Sequence, residues 1–110
     1  MHLPHELVLG SRKITSTSLP YVIAEIGVNH EGSIKLAKSL IAKAKDGGAD
    51  AVKFQTYKAE RIASKNSPSY WDRTKENCSN QYQLFKKYDS FGEDEYIMLQ
   101  KHCKHVGIDF

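Results

Sequence analysis

The chain has 110 residues, of which 40% are hydrophobic and 26% charged, and its formal charge is +3. This composition is typical of one small globular domain and argues against wholesale disorder. The lysines are spread along the sequence and no arginine cluster is interleaved with aromatic residues, so we predict no nucleic-acid partner.

The cysteines and the apolar runs indicate the cellular compartment in which the protein is expected. Cys78 and Cys103 have no metal-ligand spacing and no framework of bridges, so we expect two free thiols in a reducing environment. No basic leader precedes a long apolar stretch, and Glu25 interrupts the longest apolar run. We therefore predict neither a signal peptide nor a membrane span, and we expect a cytoplasmic protein.

The first elements are predicted from alternation and from turn residues. Residues 6–9 and 12–15 flank Gly10-Ser11, a pattern that predicts a short β-hairpin. Residues 16–20 are expected to form a linker. Residues 21–26 are mostly apolar and include β-branched valine and isoleucine, which predicts the first strong strand.

A helix and a second strand are predicted after the polar loop 27–32. Ser33 can cap this helix. Its apolar residues repeat at helical spacing and are Ile34, Ala37, Leu40, Ile41 and Ala44. Gly47-Gly48 is expected to end the helix, and residues 50–56 are predicted as the second strand.

The rest of the chain predicts a long loop, two helices and the start of a strand. Residues 57–80 are polar and irregular, which is typical of a functional or mobile loop, and residues 81–87 predict a short helix. The segment Ser90–Glu93 fits a capping box for the last helix. The apolar face of that helix comprises Tyr96, Leu99, Cys103 and Val106. Gly107 is expected to end it, and residues 108–110 to open a third strand.

This order of elements predicts an α/β fold. Strands that alternate with helices are expected to be parallel and joined by right-handed crossovers. Because a closed (β/α)₈ barrel needs roughly 200–250 residues, we expect the N-terminal part of a TIM barrel, preceded by a β-hairpin and truncated at the third strand. The expected division is residues 1–17 for hairpin and linker, and residues 18–110 for the first β/α units.

Polar residues near the ends of the two predicted strands are the main candidates for a site. Side chains alternate along a strand, so Glu25 shares a face with its apolar neighbours at i−2 and i−4, and Lys53 shares a face with Gln55. The carboxyl ends of adjacent parallel strands meet at one edge, which is the catalytic end of a barrel. We therefore expect these three side chains to converge.

Two interpretations of this trio remain open. Glu25 and Lys53 could form a buried structural ion pair with Gln55 as a hydrogen-bonded neighbour. Alternatively, Lys53 could hold a phosphate or carboxylate as a point charge, the Gln55 amide could donate to the same anion, and Glu25 could handle a proton or stabilise a transient cation. The second interpretation indicates a small anionic substrate.

Other polar residues are weaker candidates. A single histidine in a loop, such as His30, is typically solvated or caps a helix. Asn77 and Asn80 lie in the long loop and could reach a polyhydroxyl substrate. His102 and His105 stand three residues apart on a helix, but no carboxylate accompanies them, so an exposed helix surface explains them better than a metal site.

Several motifs together resemble the sialic acid synthase family. They are residues 21–33 (YVIAEIGVNHEGS), residues 48–56 (GADAVKFQT), the stretch 81–91, and residues 107–110 (GIDF). The two first motifs occur in the family's order and spacing, and the resemblance covers most of the chain from about residue 18.

The resemblance implies a (β/α)₈ barrel that condenses phosphoenolpyruvate with an N-acetylmannosamine-type sugar, forming a sialic acid and releasing phosphate. It implies Glu25 as the catalytic residue, with Lys53 and Gln55 binding phosphoenolpyruvate. Asn29 and His30 belong to the first motif and are implied as further substrate-binding residues.

The resemblance also implies partners and a cofactor. One asparagine of the long loop, Asn77 or Asn80, would contact the sugar. A divalent metal, Mn²⁺ or Mg²⁺, would assist the reaction, with its histidine ligands on later strands that this sequence does not contain. The complete enzyme would be a homodimer, and the present segment alone is expected to be inactive.

Two alternatives to this function are kept. The chain could be a non-catalytic half-barrel that serves as a binding or structural module, although exposed strand edges argue against it. It could also belong to another phosphoenolpyruvate-condensing synthase, of the deoxy-heptulosonate type, which the first motif matches less well.

Overall fold

The computed structural model of the chain describes residues 5–110; residues 1–4, where the predicted first segment begins, lie outside the described residues. The elements in chain order are β1 (Glu6–Leu9), β2 (Arg12–Thr15), β3 (Ile23–Gly27), α1 (Ile34–Asp46), β4 (Ala51–Phe54), α2 (Ala59–Ile62), α3 (Gln81–Tyr88) and α4 (Glu93–Val106). Among these helices, none is both long and apolar enough to cross a membrane.

Two strand pairs organise the chain. β1 and β2 form the predicted antiparallel hairpin, and β3 pairs in parallel with β4 through the crossover helix α1. On its other side, β4 is bridged in parallel by Asp109, whose carbonyl accepts from the Val52 N–H at 2.9 Å. The strand order β3–β4–109 with intervening helices confirms the predicted α/β class.

Both long helices begin and end where local chemistry requires it. The Ser33 hydroxyl accepts a hydrogen bond from the Leu36 N–H, and α1 ends against Gly47, as predicted. α4 ends at Gly107, which adopts the left-handed conformation with φ of +82° that favours glycine. These ends set the lengths of the two helices. After α1 the chain enters β4 beside β3, and after α4 it reaches Asp109, which bridges to β4.

The hydrophobic core lies on one face of the strand pair. α1 and α4 pack against each other, and α1 also packs on β3 and β4. The buried side chains of this cluster are Ile26, Ala37, Ile41, Val52, Phe91, Leu99, Cys103 and Ile108. The opposite face of the pair remains open, and Ile23 is 55% exposed there.

Arg12 anchors the hairpin to the amino ends of the parallel strands. Its guanidinium donates to the Leu19 and Pro20 carbonyls and to the Asp50 carboxylate, at 2.8–3.0 Å. The same carboxylate accepts from the Val22 N–H at 2.8 Å, and this bond together with Arg12 lowers the pKa of Asp50. The linker is therefore held by side chains, and the strand ladder begins at Ile23, later than predicted.

The predicted capping box at Ser90 and Glu93 is wrong by two residues. α4 begins after Gly92, whose N–H donates to the Glu95 carboxylate at 2.8 Å. Phe91 is buried in the core, with 6% of its surface exposed, and the extended residue that precedes the helix is Gly92.

The long loop contains a helix that its local sequence did not predict. α2 is one turn long, and its first N–H, from Ala59, donates to the Asp89 carboxylate at 3.1 Å. Burial alone would raise the pKa of Asp89, but this bond and the Lys58 ammonium outweigh it and lower the pKa. Because the capping group lies 30 residues away, only the tertiary fold reveals it.

We predict that Leu99→Ala destabilises the described fold by about 2–5 kcal/mol, because Leu99 is fully buried between α4 and its neighbours and its loss leaves a cavity. Urea denaturation followed by circular dichroism measures this. Met98→Ala is the control, because the adjacent Met98 side chain is 44% exposed and its truncation should lower the free energy of unfolding only slightly. Equal losses in the two variants would contradict the assignment of Leu99 to the core.

Candidate functional site

Glu25 and Lys53 form an ion pair at the carboxyl end of the strand pair. They are register partners in β3 and β4, and the Lys53 ammonium donates to Glu25 Oε2 at 2.7 Å. Their side chains are 48% and 58% exposed, so the described segment does not bury the pair. An exposed pair contributes about 0–1 kcal/mol to stability, which leaves both groups able to exchange partners with a ligand.

Gly27 brings Gln55 to the same place. The register shifts between Glu25 and Gly27, so that Gly27 lies opposite Phe54, the residue before Gln55. A Cβ at Gly27 would lie 3.2 Å from Glu25 Oε1 and 3.8 Å from Gln55 Nε2, and its φ is +56°. The carboxylate and the amide therefore both lie beside the Cβ position of one glycine, and the three predicted side chains converge.

The backbone of Gln55 is held by a tyrosine that the sequence indicated only as a core residue. The Tyr96 hydroxyl donates to the Gln55 carbonyl at 2.7 Å, and its ring meets Phe91 edge-on at 5.8 Å. Burial raises the pKa of Tyr96. A buried tyrosine usually finds a partner for its hydroxyl. The position of Tyr96 on the apolar face of α4 was therefore the sequence signal that its hydroxyl would bond to a neighbouring element.

The loop after β3 separates its two predicted site residues. Asn29 is exposed, whereas His30 is 1% exposed and stacks on Phe91 with ring centroids 4.0 Å apart. The Nδ1 atom of His30 accepts a hydrogen bond from the Gly32 N–H at 3.0 Å. The expectation of a solvated or helix-capping histidine is therefore wrong, and only Asn29 is open to solvent beside the trio.

The structure distinguishes the two asparagines of the long loop. Asn80 caps α3, because its Oδ1 accepts from the Gln83 N–H at 2.8 Å and its Nδ2 donates to the Lys65 carbonyl at 3.0 Å. Asn77 is exposed and makes no side-chain hydrogen bond within residues 5–110. Of the two, Asn77 is the one whose amide can turn to a ligand.

Glu76 fixes the segment that carries Asn77. Its carboxylate accepts from the Lys87 ammonium at 3.0 Å and from the Tyr88 hydroxyl at 3.3 Å. Its carbonyl accepts from the Trp71 indole N–H at 3.2 Å. The bonds from Lys87 and Cys78 hold the pKa of Glu76 at about 2. The sequence analysis missed this cluster because its members come from the loop and from α3.

The described residues outside the trio of Glu25, Lys53 and Gln55 contain a cleft but no cluster of metal ligands. A cleft of about 610 Å³ between α2 and α4 is lined by residues that include Tyr57, Tyr96 and Phe110, but by no member of the trio. Within residues 5–110, no three histidine, cysteine, aspartate or glutamate side chains cluster closely enough to hold a metal ion.

Comparison with known proteins identifies the family. Residues 40–110 match the NeuB family. The chain belongs to the NeuB family. It is 41% identical to the N,N'-diacetyllegionaminic acid synthase of Legionella pneumophila over 82% of its own length and 26% of that protein. It is 40% identical to the N-acetylneuraminate-9-phosphate synthase of Drosophila melanogaster, over 82% of its length and 24% of the relative.

Solved structures of NeuB-type proteins share the fold. The N-acetylneuraminic acid synthetase of Leptospira borgpetersenii superimposes with a TM-score of 0.72 at 32% identity, over 94% of this chain and 32% of that one. The spore coat polysaccharide biosynthesis protein of Bacillus subtilis superimposes with a TM-score of 0.64, over 94% of this chain, and at 24% identity supports the fold alone. The chain thus spans about a quarter of the two curated relatives, which are a legionaminic acid synthase and an N-acetylneuraminate-9-phosphate synthase, as the resemblance of its motifs predicted.

We predict that Gly27→Ala displaces the Glu25 carboxylate and thereby changes the surroundings of the Gln55 amide. The new Cβ meets both groups, and the left-handed backbone costs about 1–2 kcal/mol for a residue with a side chain. The side-chain amide signals of Gln55 in a ¹H–¹⁵N spectrum report the displacement. Gly48→Ala is the matched control, since Gly48 has φ of +91° and open space around it. Gln55 signals that move equally in both variants would contradict this role of Gly27.

We predict that His30 makes the chain less stable as the pH falls below about 6.5. Burial lowers the pKa of folded His30 below the ordinary value of about 6.5, so the unfolded chain binds more protons there. The free energy of unfolding then falls by at most about 1.4 kcal/mol per pH unit for this group, until the folded pKa is reached.

Chemical denaturation of wild type and His30→Phe between pH 5 and pH 8 isolates this effect. His102, whose pKa is also lowered by burial and by Lys38 and His105, is present in both proteins and cancels in the difference. Parallel pH profiles of the two proteins would show that His30 does not titrate differently on folding.

Proposed function

We propose that this chain supplies the first part of the active site of a synthase that condenses phosphoenolpyruvate with an N-acetylmannosamine-type sugar to form a sialic (nonulosonic) acid. The observation that carries the proposal is the Glu25–Lys53 pair, exposed at the carboxyl ends of two adjacent parallel strands with the Gln55 amide beside it. Membership of the NeuB family and similarity to sialic and legionaminic acid synthases support it.

The proposed setting is the N-terminal part of a (β/α)₈ barrel. The parallel order β3–β4–109, with helices packed on one face only, is the arrangement of successive β/α units around a barrel interior. In that setting the trio faces the interior at the end where barrel enzymes bind their substrates. The Arg12-anchored hairpin lies at the opposite, amino end of the strands.

The proposed chemistry divides the trio by charge. Lys53 exchanges Glu25 for the phosphate or carboxylate of phosphoenolpyruvate, and Gln55 Nε2 donates to the same anion. Release of Lys53 frees the Glu25 carboxylate beside the condensing carbons. There it handles a proton or stabilises the oxocarbenium-like centre that develops as the carbon–carbon bond forms. Water then adds to this carbon, and the carbon–oxygen bond to phosphate breaks to release inorganic phosphate.

The sugar, the metal and the assembly complete the proposal. Asn77 and Asn29 are the exposed amides proposed to contact the acceptor sugar. A divalent metal, Mn²⁺ or Mg²⁺, would be held by residues outside this segment, where it would supply Lewis-acid activation of the acceptor. The complete enzyme is proposed to be a cytoplasmic homodimer.

We predict that Lys53→Ala weakens phosphoenolpyruvate binding at least tenfold, since a charge-assisted hydrogen bond contributes about 1.5–3 kcal/mol. The measurement is isothermal titration calorimetry on the longest natural polypeptide that contains residues 1–110, here called the parent polypeptide. Its synthase activity is assayed by the release of inorganic phosphate from phosphoenolpyruvate in the presence of N-acetylmannosamine or its 6-phosphate.

Lys13→Ala is the matched control for this experiment. Lys13 is 61% exposed and pairs with Glu6 at 3.0 Å in the hairpin, so it resembles Lys53 in exposure and pairing but lies outside the site. Lys53→Ala that binds phosphoenolpyruvate as tightly as Lys13→Ala would refute the assigned role of Lys53. A parent polypeptide that releases no phosphate with either sugar would refute the proposed acceptor class.

A further inference from the structure

His30 is the buried polar residue of the described core. It is 1% exposed, and among the fully buried side chains it stands beside Ile41, Leu99 and Cys103 in size. A polar ring in such surroundings costs free energy unless its nitrogens are hydrogen-bonded. Nδ1 has a hydrogen-bond partner and the ring contacts two aromatic side chains, and these contacts indicate its role.

The hydrogen bond of the ring defines its protonation. Nδ1 accepts from the Gly32 N–H at 3.0 Å, and a nitrogen that accepts carries no proton. The proton of the neutral ring then lies on Nε2. Burial, which lowers the pKa of His30, favours this neutral form.

This bond closes a turn that the backbone alone would not favour. It joins a side-chain acceptor to the N–H two residues on, which is the geometry of an Asx turn, with Nδ1 in the place of an asparagine oxygen. Inside the turn, Glu31 has φ of +52° and Gly32 φ of +75°. A left-handed non-glycine residue costs about 1–2 kcal/mol, and the bonds from Gly32 to Nδ1 and from the Ser33 N–H to the His30 carbonyl hold it.

The faces of the ring connect the turn to the site. One contact is the parallel stack on Phe91, with an interplanar angle of 9°. The other is Phe54, with ring centroids 6.0 Å apart. Phe54 lies opposite Gly27 in the register and directly precedes Gln55. His30 thus contacts the strand end from which Gln55 extends, while its own turn begins one residue after the exposed Asn29.

We propose that His30 is a positioning residue, held as the neutral Nε2-protonated ring, that fixes the loop after β3 against Phe54 and Phe91 and so sets Asn29, Glu25 and Gln55 in their relative places. The inference rests on the proposed synthase function for its catalytic consequence. It assigns to His30 no contact with substrate, because its ring is covered and its Nδ1 is already bonded.

The test separates the hydrogen bond of the ring from its volume. His30→Asn keeps an acceptor for the Gly32 N–H and loses the stack, whereas His30→Phe keeps the stack and loses the acceptor. Ile41→Ala is the control for stability, because Ile41 is equally buried and lies on α1 away from the site. All variants are made in the parent polypeptide, and thermal melting, phosphate release and the Gln55 side-chain amide signals are measured for each.

We expect long-range ¹H–¹⁵N spectra of the wild type to show His30 Nδ1 without a proton and Nε2 with one. We expect His30→Phe to lower kcat/KM by about tenfold, the loss that about one hydrogen bond predicts, and to move the Gln55 amide signals. His30→Asn, which keeps the turn but loses the contacts with Phe54 and Phe91, should also lower kcat/KM and move the Gln55 signals, though less than His30→Phe does. Ile41→Ala should keep wild-type kcat/KM at a comparable loss of melting temperature.

A proton on Nδ1, or His30→Phe with wild-type kcat/KM and unmoved Gln55 signals, would overturn the proposal. Losses of kcat/KM that follow melting temperature alike in His30→Phe and Ile41→Ala would also overturn it, because they would show a structural role only. If the wild type itself lacks synthase activity, the proposed function fails. The ring nitrogens and the Gln55 signals then still decide whether His30 positions the loop.

Discussion

The parallel pairing of β3 with β4 is the constraint on which the rest of the structure depends. It places Glu25 opposite Lys53, and its register shift brings Gly27 opposite Phe54, so the three polar side chains meet at one strand end. The pairing requires a crossover of defined length, which α1 supplies between the cap at Ser33 and the stop at Gly47. The core on the helix side stabilises this arrangement without any contribution from the exposed ion pair.

Much of this could be predicted from the sequence because the relevant forces act over short distances along the chain. Side-chain alternation predicted the common face of Glu25, Lys53 and Gln55, and serine and glycine predicted the ends of α1. The remaining features depend on partners far away in sequence. Asp89 caps α2 from 30 residues away, and the burial of Phe91 moves the start of α4. No local pattern distinguishes a loop histidine in water from one stacked beneath an aromatic ring.

The two ends of the strand pair differ in the kind of interaction they contain. At the amino end, Arg12 donates three hydrogen bonds to two backbone carbonyls and to Asp50, and Asp50 also accepts from a backbone N–H, which holds the hairpin and linker in place. At the carboxyl end, the polar groups of Glu25, Lys53 and Asn29 are exposed. The barrel architecture proposed for this chain would separate stability from function in this way, with stability at the amino ends of the strands and chemistry at the carboxyl ends.

The Glu25–Lys53 contact makes the carboxylate an internal counter-ion of the lysine. An anion that takes the place of this carboxylate at Lys53 exchanges partners with it and does not fill a bare positive site. A singly charged solvent ion such as chloride gains little from such an exchange, because it offers no more charge than the group it replaces. A ligand with several negative charges and several acceptor oxygens gains more, since it can bond Lys53 and Gln55 at once. Competition from within the protein thereby discriminates among anions by their valence.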